Sequence, residues 1–169
     1  MAVTRRHVLA ASSAVALVAA GGAGAIAARW WNLPADHGYI WLSAQEIAFI
    51  EALADALFPP GGEPSLAGAD AGLSRWFDEV LDHLPPGKAR EFKLLLHALD
   101  ALATVEGGAG FAALDRATRW SMARSWVTSP IPELRGATLG LSTLLGGGYT
   151  THPDAAPFFA KWHGCGYGR

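Results

Sequence analysis

The sequence predicts an all-α protein: one bundle of about five helices, with an irregular arm before it and an irregular tail after it. Three observations carry that reading. Apolar residues recur at helical spacing in five successive segments, and no stretch sustains the two-residue alternation of a half-buried strand. Proline and glycine clusters fall between those segments, where helices must stop. Of 169 residues, 51% are hydrophobic and only 17% charged, the reverse of a disordered chain.

The elements follow in order. Ser43-Ala44-Gln45-Glu46 has the form of a capping box, and Ile47, Ile50, Leu53, Ala54 and Leu57 then keep one helical face until Pro59-Pro60-Gly61-Gly62. A loop from Gly61 to about Gly72 leads to a second helix carrying Leu73, Trp76, Phe77, Val80, Leu81 and Leu84, which Pro85-Pro86-Gly87 ends. The third is expected from about Lys88 to Val105, with Phe92, Leu95, Leu96, Leu99 and Leu102 inward and Gly107-Gly108 as its stop. The fourth is expected over Phe111 to Val127, with Leu114, Ala117, Met122 and Trp126 among its apolar residues. Ser129-Pro130-Ile131-Pro132 is a turn, Pro132 suiting a first helical position. The fifth helix runs from Glu133 to about Leu145, and Gly146-Gly147-Gly148 is expected to terminate it. The domain reading is therefore a leader over 1–28, an arm or linker over 29–41, and a helical domain over 42–169.

The leader rests on Thr4-Arg5-Arg6-His7-Val8-Leu9, followed by an uncharged stretch to Ala28 rich in Ala, Val, Leu and Gly. A twin arginine before a moderately apolar segment has the form of a twin-arginine export signal, and Ala25 and Ala27 give a small-residue cleavage site. Val8 and Ala10 stand where Phe and Lys are common in such signals. The alternative is an uncleaved anchor, because residues 8–28 are just long enough to span a bilayer.

Composition and motifs narrow the chemistry. The formal charge is −2, with 13 basic and 15 acidic residues, so the basic stripe of a nucleic-acid binder is missing. A single cysteine excludes an internal disulfide, a multi-cysteine metal centre and a C-x-x-C-H haem site. Neither GxGxxG nor GxxxxGK[ST] is present, and Gly107-Gly108-Ala109-Gly110 follows a helix, the wrong context for a phosphate cradle. Ser121, Ser125 and Ser129 lack a nucleophile elbow, and His83 and His97 lie on helices with no triad signature. His152, His163 and Cys165, with Asp154 nearby, are metal-capable residue types at no familiar spacing; capping and packing are the simpler roles. Cys165 is either a tolerated thiol or a bridge to another chain. Catalytic, cofactor-binding and metal residues are therefore all read as none in this chain. Trp30, Trp31 and Trp41 in the arm, and Phe158, Phe159, Trp162 and Tyr167 in the tail, are rings in irregular segments that need a surface, either the bundle or a partner. Trp30, Trp31, Trp41, Phe159, Trp162 and Cys165 are the candidate partner contacts.

The twin-arginine leader, Leu42-Ser43-Ala44-Gln45-Glu46, Ala52-Leu53-Ala54-Asp55-Ala56-Leu57-Phe58-Pro59 and the helix bearing Trp76, Phe77 and Leu81 together resemble the small (gamma) subunit of flavin-dependent dehydrogenases, the gluconate 2-dehydrogenase subunit 3 family. Phe111, Leu114, Arg119, Trp126, Ser129-Pro130, Leu134-Arg135 and Tyr149…His152-Pro153 are also similar to helical segments accompanying some glucose-methanol-choline (GMC) oxidoreductases. The resemblance is best over residues 1–60 and looser over 111–169. It implies a non-catalytic subunit that stabilises a large FAD-bearing catalytic subunit and supplies the export signal for both through the twin-arginine translocase, with a cytochrome c subunit accepting electrons in complexes of this type. The flavin would be the partner's. The substrate class implied is a sugar, an alcohol or a sterol, and the location the periplasm or the outer face of the inner membrane. The alternative is a self-sufficient helical envelope protein anchored by residues 8–28, with no flavoprotein partner.

Overall fold

A computed structural model describes residues 33–161. Among them are α1 (Ala44–Leu57), α2 (Leu73–Asp82), α3 (Pro86–Gly107), α4 (Arg116–Val127), α5 (Pro132–Thr151) and the short α6 (Ala156–Ala160), with 3-10 turns at Gly68–Asp70 and Phe111–Ala113. The expected all-α bundle of five long helices is what forms.

Helix α1 is the axis of the bundle because it is apolar on nearly every side. Ile47, Phe49, Ile50, Ala52, Leu53, Ala54 and Ala56 are all buried. Accordingly α1 touches α2, α3, α4 and both 3-10 turns. Phe49 packs on Phe111 at 5.0 Å between centroids, and Phe111 on Trp126 at 5.5 Å. Pairs of this kind add about 0.5–1.5 kcal/mol beyond area burial. Helix α5 lies across α2 and α4, and α6 folds back on α5. The 3-10 turn after the first loop presses its backbone on the end of α1, where a Cβ at Gly68 would sit 2.0 Å from the Ala54 carbonyl oxygen. Only glycine fits that approach, and its N–H donates to the Phe58 carbonyl at 2.7 Å.

Two element boundaries differ from expectation, and the tail, expected to be irregular, carries the short helix α6 with Phe158 and Phe159 on it. Helix α4 begins at Arg116 rather than Phe111 because Asp115 caps it, accepting from the Thr118 N–H at 3.0 Å and the Thr118 hydroxyl at 2.6 Å. Phe111 is instead drawn into a tight turn whose N–H donates to Asp100 at 2.8 Å. Leu114 therefore lies before the helix, and Ala117, expected among the apolar residues, is exposed. Helix α5 does not stop at Gly146; it runs through all three glycines to Thr151. The reason is packing: the Trp76 ring lies against Gly148, where a Cβ would come within 2.6 Å of Trp76 Cδ2. The bare backbone lets α5 approach α2, and that contact offsets the weak helix propensity of glycine.

Residues 33–41 contain no helix or strand, and the last of them are tied down. Asp78 on α2 is buried and accepts from the backbone N–H groups of Ile40, Trp41 and Leu42 at 2.7, 2.9 and 3.0 Å. Tyr39 shares a 2.9 Å hydrogen bond with Ser74, and Arg75 stacks over the Tyr39 ring. Among the described residues no helix is long and apolar enough to cross a membrane.

Candidate partner interface

Two polar clusters flank α1. At its N-terminal end Glu46 is buried and supplies the reach-back half of the expected capping box: its Oε2 accepts from the Ser43 N–H at 2.7 Å and the Ser43 hydroxyl at 2.8 Å. His97 Nε2 lies 2.8 Å from Oε1, and Lys93 Nζ 3.3 Å from Oε2. The same lysine donates to the Trp41 carbonyl. Burial pushes the Glu46 carboxyl up, but the hydrogen bonds from His97 and Ser43 and the charge of Lys93 outweigh it, so the group lies below its ordinary value.

This cluster contains a serine, a histidine and an acid, yet it is not built for nucleophilic attack. An imidazole that activates a hydroxyl stands between hydroxyl and acid. Here Ser43 and His97 both approach the carboxylate directly, and all three are buried. The arrangement fastens the arm, α1 and α3 together. The other candidates lie apart. His83 Nδ1 is 2.7 Å from the Glu79 carbonyl on its own helix, and the Ser125 hydroxyl donates to the Met122 carbonyl. His152 Nδ1 accepts from the Asp154 N–H at 3.2 Å and lies 3.9 Å from its carboxylate, and among the described residues no three His, Cys, Asp or Glu side chains form a metal-sized group.

At the C-terminal half of α1, Asp55 accepts from Arg116 through both oxygens, at 2.9 Å from Nε and 2.7 Å from Nη2. Arg119 Nη2 lies 3.1 Å from the same carboxylate, and its Nη1 donates to the Ala52 carbonyl. The hydrogen bond from Arg116, helped by both positive charges, holds Asp55 below its ordinary value. Asp55 thus joins α1 to α4.

Beside this clamp lies a shallow apolar groove lined by Ala56, Leu57, Pro59, Arg116, Ala117 and Trp120. Trp120 is 46% exposed. It was not among the residues singled out from sequence. The signal was present: Met122, Ala123 and Trp126 define the buried face of α4, and Trp120 lies off it.

Two of the sequence-predicted contact residues lie on the described helices and arm. Trp41 is half-buried against the core, and its Nε1 donates to Asp82 at 3.3 Å. Phe159 is half-buried, edge-on to Tyr149 at 6.3 Å and to Phe158 at 5.2 Å. Tyr149 in turn stacks on Phe58 at 4.0 Å and donates to the Leu66 carbonyl. Arg5, Arg6, Trp30, Trp31, Trp162, His163 and Cys165 lie outside the described residues, as does the anchor or leader over 8–28.

Searches of the curated proteins and of the solved structures give no match. The family model for gluconate 2-dehydrogenase subunit 3 matches residues 44–131. That span takes in α1 to α4 with Glu46, Lys93 and His97, the Asp55 clamp and Trp120, and it includes the helix bearing Trp76, Phe77 and Leu81 on which the resemblance partly rested. With just over half of its length matched, this chain belongs to the gluconate 2-dehydrogenase subunit 3 family.

Proposed function

We propose that this chain is the small, non-catalytic subunit of a GMC-type FAD-dependent sugar, alcohol or sterol dehydrogenase, exported with its partner by a twin-arginine signal that includes Arg5 and Arg6. The family match over α1 to α4 carries the reading. The geometry agrees with it: the buried polar clusters spend their hydrogen-bonding groups on holding helices together, while a tryptophan and two arginines face outward. The flavin is assigned to the large subunit, as the family resemblance implies. The chain's contribution is stability by mass action, because a partner that binds only the folded form draws the folding equilibrium toward it. Trp30, Trp31, Trp41, Phe159, Trp162 and Cys165 are retained as contacts, and a cytochrome c subunit as the electron acceptor.

The test is purification of the tagged full-length chain from its source membranes and periplasm. The expected result is a complex with a larger protein that carries FAD and oxidises a sugar, alcohol or sterol. Deletion of residues 1–28 should leave that larger protein in the cytoplasm. A chain that purifies alone as a stable species in membranes overturns the reading in favour of the anchored envelope protein.

A further inference from the structure

Helix α4 contains three arginines, Arg116, Arg119 and Arg124, and no carboxylate. It does so in a chain whose acidic residues outnumber its basic ones, 15 to 13. Arg116, Trp120 and Arg124 are spaced four residues apart, so they form one ridge along the helix. The buried face of the same helix is occupied by Met122, Ala123 and Trp126. The Arg116 side chain is 49% exposed, Trp120 46%, and Arg124 is exposed.

Among the described residues the charge on this ridge is not fully paired. Asp55 is the single carboxylate serving both Arg116 and Arg119. With Asp115 at the N-cap beside Arg116, the three arginines of α4 meet two carboxylates, Asp55 and Asp115, which leaves one positive charge in excess along the helix. The Arg124 guanidinium makes no hydrogen bond or ion pair with another described residue. Its place in the last turn suits the helix dipole, which accounts for a cation there but not for an open indole one turn before it. Tryptophan and arginine are the residue types that concentrate binding energy at interface centres. The apolar groove of Ala56, Leu57, Pro59 and Ala117 lies alongside the indole.

What fits is defined by these features. It must present an apolar side chain to the groove and negative charge on either side, spaced to meet two arginines that stand about 6 Å from the central ring along the helix axis. We propose that the Arg116–Trp120–Arg124 ridge docks an acidic segment of the flavoprotein subunit, one apolar side chain of that segment lying on Trp120 and its carboxylates pairing with the two arginines. This rests on the subunit reading above, and it names the surface and the chemistry through which that reading works.

The experiment uses the full-length chain and the FAD-bearing protein that co-purifies with it. Binding is measured for wild type, Trp120→Glu, Arg124→Glu and, as a control on α3, Val105→Glu, whose site is 72% exposed. Circular dichroism melts establish that each variant folds. Trp120→Glu should weaken binding by about thirtyfold or more, as loss of a central aromatic contact does. Arg124→Glu should weaken it about tenfold, mainly through the association rate, and should flatten the salt dependence. Val105→Glu should bind as wild type. A photo-cross-linking amino acid at position 120 should join this chain to the flavoprotein. If folded Trp120→Glu binds the flavoprotein within about threefold of wild type, the surface is wrong while the subunit reading stands. If wild type retains no flavoprotein, both fall. A cross-link from position 120 to a second copy, or to residues 162–169, also overturns the proposal. If Trp120→Glu does not fold, Arg124→Glu and the cross-link decide.

Discussion

Glu46 and Asp55 stand two and a half turns apart on one helix, and each gathers two nitrogen-bearing side chains, yet the two ends of α1 do opposite things with them. At the Glu46 end, Ser43, Lys93 and His97 are all drawn inward, and the cluster is closed over by the arm. At the Asp55 end Arg116 stays half exposed, beside an indole that the described residues leave 46% exposed. A carboxylate enclosed with its partners fixes the fold. A carboxylate outnumbered at the rim leaves cations to spare for something else. Substitutions at the two ends should therefore separate loss of stability from loss of association.

The largest effect is expected at Glu46. Glu46→Gln removes the one negative charge facing Lys93 and His97, and breaking a buried charge cluster in this way costs about 3–5 kcal/mol. Urea unfolding monitored by circular dichroism measures it. The same group sets an acid limb. Because the folded Glu46 carboxyl lies below its ordinary value of 4.5, its contribution is fully present above that value and is lost as pH falls below it. Asp55, held below 3.8, adds to the same limb at lower pH. Wild-type stability should fall on acidification from about pH 4.5 downward, in line with the proton-linkage relation, and Glu46→Gln should show a shallower fall. An unchanged slope would remove Glu46 from that account.

Gly148→Ala comes next. Its new methyl group would collide with the Trp76 ring, and overpacking of this kind costs about 1–3 kcal/mol. Trp76→Leu should relieve most of the penalty, so a double-mutant cycle will be non-additive if the two share one contact.

Asp78→Ala should cost about 1–3 kcal/mol, the price of orphaned donors at Ile40, Trp41 and Leu42. Amide exchange at those three positions should accelerate well before exchange in α1. Smallest of all, Trp120→Ala should change unfolding free energy by less than about 1 kcal/mol, as for other exposed positions. A drop comparable to that of Glu46→Gln would make the two ends alike and erase the contrast between them.

The helices were legible in the sequence because burial repeats with the helical period, and the capping pair Ser43 and Glu46 was legible because its members are three residues apart. What stayed hidden depends on partners far along the chain. Asp78 meets Ile40 across 38 residues, and Arg116 meets Asp55 across 61. No local pattern marks those carboxylates as buried clasps. The three glycines of α5 read locally as a stop; only the Trp76 ring, supplied by another helix, explains why the helix continues. Trp120 was legible by comparison: Met122 and Trp126 share a face at helical spacing, and Trp120, two residues before Met122, falls off it.

The grip of Asp78 on three consecutive amides also has a mechanical side. Tension applied to the polypeptide from ahead of Gly38 meets α2 first at Arg75 and Ser74, which hold Gly38 and Tyr39, and then at the Asp78 carboxylate with its three amides. Lys93, holding the Trp41 carbonyl from a different helix, braces the same short stretch against rotation. Force drawn along the N-terminal side thus meets anchors on α2 and α3 before it reaches the start of α1 at Ala44.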